Sequence, residues 1–293
     1  MSEELDCISI MVPGEALDHF EAALGSVCRA VSFFHQDEER DIWNIQGVKE
    51  RGAYEAELAS ALLVAEMLTG QAPEIARSLV PVGGWLARTK AAFPEQKIGA
   101  RFVVRGTHIS APDLPGRIAL TLDAGLAFGT GEHNSTRGCL IALERIAKAH
   151  RPLRILDLGT GSGILAIAAA KLMRRPVLAS DIDPRAARVA NANAKLNGVA
   201  HLVHAIRADG WADKRIERRA PYDLVFANIL ARPLCAMAHQ LADSLAPGGI
   251  AILAGLLTTQ VNWVVSAHRR AGLRLERRLT DGAWSILILR KYK

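Results

Sequence analysis

The stretch RILDLGTGSGIL, residues 154–165, decides how the rest of the chain is read. Ile155, Leu156 and Leu158 surround one acid, Asp157. Glycines follow at alternate positions, Gly159, Gly161 and Gly163, and an apolar run continues to Ala170. This order predicts a buried strand, a tight turn and the start of a helix. Without a Cβ the turn takes positive φ, and a ligand can lie against bare backbone. The helix starting near Gly163 is expected to aim unpaired N–H groups and the positive end of its dipole at that ligand. A dinucleotide site does not fit the spacing. The G-x-G-x-x-G fingerprint puts glycine where this chain has Ile164. Asp157, two residues ahead of the turn, would repel a pyrophosphate and suits a cationic or amino group.

Working outward toward the C-terminus, β and α patterns alternate. A strand over 176–180 ends in Asp181, about 20 residues past the glycines, the spacing at which a carboxylate accepts hydrogen bonds from ribose hydroxyls. Asp183 before Pro184 reads as an N-cap with proline at N1, and Asn197-Gly198 as the C-cap of the helix that follows. After a third strand, 201–206, Asp209 is placed to accept from an adenine amino group, or is simply a loop acid. KRIERR, residues 214–219, reads as a solvated face, with RNA contact as the second reading. YDLVFAN, 222–228, is a fourth strand ending in an amide. Polar residues at the C-terminal ends of strands in an open α/β sheet face the ligand crevice, which makes Asn228 a site candidate. A helix over 233–245, a fifth strand over 250–255 and a helix over 258–271 follow. A hairpin turning at Asp281-Gly282 closes the chain. Alternating units closed by an antiparallel hairpin fit a seven-stranded sheet and argue against a dehydrogenase, which would continue with parallel units.

Working toward the N-terminus, LDAGLAFGTGEHNSTRGCLIALERI, 122–146, holds a second glycine-rich loop. Asn134, Ser135 and Thr136 are expected to cap a helix over 136–149. His133 reads as an orienting histidine ahead of a catalytic one. Residues 81–120, punctuated by glycine and proline, are expected to form a linker region, with a short helix over 85–93 and strands over 101–105 and 118–122. Residues 1–80 carry the order β-α-β-β-α-β, the ferredoxin-like arrangement, and no catalytic constellation. The domain reading is therefore 1–80, 81–120 and 121–293.

A chain of 293 residues, half of them hydrophobic, can bury two cores. The net charge of +6 favours acidic partners and equally serves solubility. Cys7, Cys28, Cys139 and Cys235 have neither metal nor redox spacing. The N-terminal residues lack a secretory signal, and no apolar run spans a membrane. A cytoplasmic protein with reduced thiols is expected, with no membrane association and no metal.

The D-x-G-x-G-x-G run resembles motif I of the class I S-adenosylmethionine-dependent methyltransferases. LAFGTGEHNST, ILDLGTGSGILAIAAAKL, DIDPRA, NAKLNG and FANILARPL occur in that order, and with them the chain resembles the ribosomal protein L-eleven methyltransferases of the PrmA type. The resemblance covers residues 85–293 well and the N-terminal module only in element order. It implies an α/β class I methyltransferase domain, a seven-stranded Rossmann-like sheet, behind a small ferredoxin-like α+β domain that carries the substrate. It implies S-adenosylmethionine as cofactor, with Thr136, Gly159, Asp181 and Asn228 as its contacts; the reading of the glycine turn and of the third strand's end adds Gly161 and Asp209. Where the family has two threonines this chain has Ser135-Thr136, which keeps both hydroxyls. The implied substrate is a large-subunit ribosomal protein, modified on lysine ε-amines and the N-terminal α-amine; the chemistry of a desolvated amine beside a sulfonium points to Asn228 aiming it, with no single general base. RNA contact is incidental in this reading, and a monomer is expected. Alternatives are a class I methyltransferase of RNA or small molecules and a non-catalytic binding module on the same fold. Against the adenine and glutamine-amide enzymes, which carry [ND]PP[YF], the chain has Asn228-Ile229-Leu230-Ala231. Equilibrium binding of S-adenosylmethionine separates the enzyme from the binding module.

Overall fold

β1 (Glu4–Pro13), α1 (Leu17–Val27), β2 (Ala30–Asp37), β3 (Ile42–Glu50), α2 (Glu55–Thr69) and β4 (Ile75–Pro81) follow one another at the start of the chain. The structure is a computed structural model that describes residues 4–28, 30–37, 41–81, 95–112, 114–122 and 134–292. The four strands pair antiparallel in the order β2-β3-β1-β4, the ferredoxin-like sheet implied by the sequence. Strand alternation supplies its core: Ile8, Ile10 and Val12 of β1 and Ile45 of β3 meet Phe20 and Leu24 of α1 and Leu58 and Leu62 of α2. Fully buried Lys49 is neutralised by Asp6 at 3.2 Å and Glu55 at 2.5 Å.

The chain divides into two units, Met1–Ala91 and Ala92–Lys293. The linker region expected over 81–120 is therefore corrected from Ala92 onward. β5 (Gln96–Ile98), β6 (Phe102–Gly106) and β7 (Ile118–Leu122) form a three-stranded sheet that belongs to the second unit. The reason is packing. Phe102, Val104, Leu120 and Leu122 share a buried cluster with Cys139, Leu140 and Leu143 of α3 (Asn134–Ala149). Glu144 of α3, also buried, accepts the backbone N–H groups of Ala100 (3.1 Å) and Arg101 (2.7 Å). Asn134, Ser135 and Thr136 lie in the first turn of α3 instead of preceding it as caps. The helix expected over 85–93 and the loop residues 123–133, with His133, lie outside the described residues.

β8 (Ile155–Leu158), α4 (Ile164–Met173), β9 (Val177–Asp181), α5 (Pro184–Leu196), β10 (Val203–Arg207), α6 (Lys214–Glu217), β11 (Tyr222–Asn228), α7 (Ala231–Ala236), α8 (Ala238–Ser244), β12 (Leu245–Leu257), α9 (Val261–Arg270), β13 (Leu273–Asp281) and β14 (Trp284–Lys291) complete the second unit. Its seven-stranded sheet runs β10-β9-β8-β11-β12-β14-β13. The first five strands are parallel, and β14 enters antiparallel between β12 and β13. Residues 233–245, expected as one helix, are two, α7 and α8, broken at Met237. Asp183 accepts the Arg185 N–H at 2.8 Å as N-cap of α5, with proline next, as its sequence predicts. Asn197 does more than end α5. Its side chain joins Thr121 N and O, Asn193 O and Lys171 Nζ at 2.6–3.1 Å, fixing β7 to α4 and α5.

Candidate functional site

In this sheet the strand order reverses between β8 and β11, and open α/β sheets bind ligands at such a switch, beyond the carboxyl ends of the strands. Register then decides which residues meet there. Leu158 lies beside Ser180 on β9 and beside Ala227 on β11. The next residue of each strand is therefore Gly159, flanked by Asp181 and Asn228. Asn228 Nδ2 donates to Thr136 Oγ1 at 3.2 Å, which brings the start of α3 to the same point. Thr136, Gly159, Gly161, Asp181 and Asn228 are thus gathered around one crevice. Asp209 lies two residues past Arg207, which pairs with Asp181. It is exposed and lines a cleft of about 530 Å³ with Ile182, Arg207 and Ala208, beyond the ends of β9 and β10.

The glycine turn departs from its expected chemistry in two ways. First, most of the turn's own N–H groups are already used. Gly159 and Thr160 both donate to the Ser180 carbonyl (2.8 and 2.9 Å), Gly161 to Asp181 Oδ2 (2.9 Å) and Gly163 to the Thr160 carbonyl (2.9 Å). At the start of α4 the Ala166 N–H donates to Asp157 Oδ2 at 3.1 Å. Second, the space freed by the missing Cβ of Gly159 is filled by protein. A Cβ there would sit 2.3 Å from Ile229 Cγ2, and φ is +69°. Gly255 does the same on the other side, where a Cβ would meet the Ile229 carbonyl oxygen at 2.5 Å. Two glycines therefore clamp Ile229 and fix Asn228 before it.

Asp157 does not reach a ligand, which corrects the reading of it as a partner for a cationic group. It is 1% exposed and lies under the turn, accepting from Thr160 Oγ1 at 2.6 Å and from Ala166. Burial pushes its carboxyl up to about 6; those two hydrogen bonds oppose the rise, and the nearby Asp181 charge adds to it. Asp181 receives Gly161 N–H on one oxygen and Asp183 N–H, at 3.0 Å, on the other, and each oxygen keeps acceptor capacity toward the crevice.

These contacts test which cofactor the site suits. A phosphate cradle needs free N–H groups. Here the turn spends those of Gly159, Thr160, Gly161 and Gly163 on carbonyls and on Asp181, and the Asp181 carboxylate stands at its edge. Such a surface repels a pyrophosphate and suits a cationic nucleoside whose ribose hydroxyls donate to Asp181. Sequence reasoning missed Ser180, Gly255 and the exposed Ile182, which offers an apolar edge beside Asp209. The turn role of Ser180 depends on a register invisible in one strand. Ile182 was legible as an apolar residue set between two acids.

Fold and crevice together define a class I methyltransferase. The family model described as ribosomal protein L11 methyltransferase (PrmA) matches residues 8–292. Curated relatives named ribosomal protein L11 methyltransferase include one from Bradyrhizobium diazoefficiens, 52% identical over 65% of each chain. Another, from Rhizobium etli, is 40% identical over 92% of each, and a third, from Agrobacterium fabrum, is 40% identical over 95% of this chain and 94% of its own. A crystal structure of ribosomal protein L11 methylase from Lactobacillus delbrueckii subsp. bulgaricus matches with TM-score 0.61 and 31% identity, covering 68% of this chain and 99% of its own. The chain belongs to the ribosomal protein L11 methyltransferase family, whose members use S-adenosylmethionine. Among the described residues, no helix is long and apolar enough to cross a membrane.

Proposed function

We propose that this chain transfers methyl groups from S-adenosylmethionine to ribosomal protein L11 in the cytoplasm, on lysine ε-amines and the N-terminal α-amine. The observation that carries the reading is the amide of Asn228, held by Thr136 beside the glycine turn. With Nδ2 committed to Thr136, the side-chain oxygen is the group left to accept; it has no hydrogen-bond partner among the described residues. In this reading Asp181 accepts from the ribose hydroxyls and Asp209 from the adenine amino group. Gly159 and Gly161 form the floor, and Thr136 with Asn228 closes the side facing the substrate amine. The ferredoxin-like unit carries the ribosomal protein.

When bound, S-adenosylmethionine supplies a methyl group already activated on a sulfonium. What remains for the protein is alignment and exclusion of water. The incoming amine is the harder problem, since roughly one lysine in a few thousand is neutral at pH 7. Desolvation in the crevice lowers its pKa, and Asn228 Oδ1 accepts one amine N–H and so aims the lone pair. No side chain is assigned as general base.

Incubation with labelled S-adenosylmethionine and purified large-subunit ribosomal proteins, followed by mass mapping, tests the proposal. Label on lysines and the α-amine of L11 is expected. Label confined to RNA, or to other proteins, overturns the substrate.

A further inference from the structure

The opposite edge of the same sheet carries a cluster that methyl transfer does not use. β9, β8 and β11 are adjacent and parallel, so the segments leading into them emerge side by side. Those lead-in segments, residues 151–154, 174–176 and 217–223, hold six arginines: Arg151, Arg154, Arg174, Arg175, Arg218 and Arg219. All six are exposed, and none has a carboxylate ion pair among the described residues. The two acids in these segments do little to offset them. Asp223 Oδ2 is turned onto the backbone N–H groups of Leu153 (2.8 Å) and Arg154 (2.9 Å), and Glu217 ends α6.

Register sets how close the arginines lie. Ile155 pairs with Val177 on one side and Leu224 on the other. Arg154 therefore sits one strand spacing, about 4.8 Å, from the line of Pro176 and from that of Asp223. Between them opens a cleft of about 470 Å³, lined by Arg154, Arg218, Arg219, Leu153, Pro176 and Tyr222. Leu153 is 56% exposed and Pro176 is exposed, so the cleft offers an apolar side as well as three guanidiniums. Guanidiniums fork onto phosphate oxygens and stack on bases, and an apolar wall accepts an unstacked base face. An acidic protein surface would use the charge and leave that wall idle. The strands between the cleft and the glycine turn put the two sites roughly 20 Å apart.

We propose that this arginine edge is a binding surface for single-stranded RNA, separate from the cofactor crevice. The full chain is titrated into a fluorescein-labelled 12-nucleotide oligouridine, and anisotropy is read across a salt series. With six arginines engaged, the slope of log affinity against log salt is expected near −4, at about −0.7 per phosphate. The double substitution Arg218→Ala/Arg219→Ala is expected to weaken binding about tenfold or more and to flatten the slope by about 1.4. The pair Arg277→Ala/Arg278→Ala on exposed β13 removes equal charge elsewhere and is expected to leave the slope unchanged. Should the first variant fail to fold, Arg174→Ala/Arg175→Ala makes the same test from another lead-in. Equal losses in the patch and β13 variants, an unflattened slope, or displacement of the RNA by polyglutamate as readily as by unlabelled RNA overturns the proposal.

Discussion

Replacing Asp157 by asparagine should make the protein less sensitive to rising pH. Burial holds the Asp157 carboxyl near 6 in the folded chain, against an ordinary 3.8. Between those values the unfolded chain has released the proton while the folded chain keeps it. The folded state therefore binds more protons, and stability from this group falls as pH rises through the window; the loss is complete above about 6. The gap corresponds to about 3 kcal/mol, of which about 2 kcal/mol falls between pH 4.5 and 7.5. Asparagine placed with its oxygen at the Oδ2 position keeps the bonds from Thr160 and Ala166, both of which go to that atom. Its new NH2 group adds a contribution of either sign, but one that does not change over this pH range. The pH dependence of the difference therefore carries the test. Urea unfolding of the parent and Asp157→Asn chains should show the variant gaining about 2 kcal/mol relative to the parent from pH 4.5 to 7.5. At a slope near 2 kcal/mol/M, that is about 1 M in midpoint. Parallel curves across this range would mean that Asp157 ionises as freely in the fold as outside it, and the account of the turn would fail.

Asn228→Ala should lower turnover about 100-fold, the scale of losing alignment at the reacting atoms, in single-turnover assays at saturating cofactor; unchanged turnover removes Asn228 from the mechanism. Gly159→Ala forces a side chain into positive φ, costing about 1–2 kcal/mol, and drives its Cβ against Ile229. A lower Tm together with weaker S-adenosylmethionine binding by calorimetry is expected, because Ile229 fixes Asn228. Asn197→Ala removes four hydrogen bonds, three of which fasten β7 to α4 and α5, and should cost about 2–4 kcal/mol in urea unfolding while leaving cofactor affinity intact.

Much of the second unit was legible because its signals are local. Apolar runs closed by glycine, an acid or an amide mark β8, β9 and β11, and Asp183-Pro184 marks the start of α5. The places of Asp181 and Asn228 at strand ends were legible for the same reason, since a polar residue closing a buried run has only the sheet's edge to occupy. What escaped the sequence depends on contacts between distant segments. Residues 96–120 look like a linker because their strands are short and glycine-flanked; what fastens them into the unit lies far along the chain, the buried Glu144 beneath Ala100 and Arg101, the apolar face of α3 and the Asn197 side chain against Thr121. The break at Met237 leaves no breaker residue to read. Asp157 looked available for a ligand because nothing in the sequence shows Thr160 folding back over it.

A glycine-rich turn at a strand–helix junction has no ligand preference of its own. The same bare backbone cradles phosphate wherever its N–H groups are free. In this chain three acceptors decide otherwise: the Ser180 carbonyl takes two of those N–H groups, Asp181 a third, and Asp157 one at the start of the helix. Each bond removes a donor from the crevice, and the bond to Asp181 leaves carboxylate charge in its place. The turn is thereby converted from an anion site into one that tolerates a positive centre and accepts hydroxyls. Since two of the acceptors lie on β9 and one on β8, the conversion depends on the pairing of Leu158 with Ser180. A one-residue slip there would free the three donors held by Ser180 and Asp181 and undo the selectivity while leaving every glycine in place.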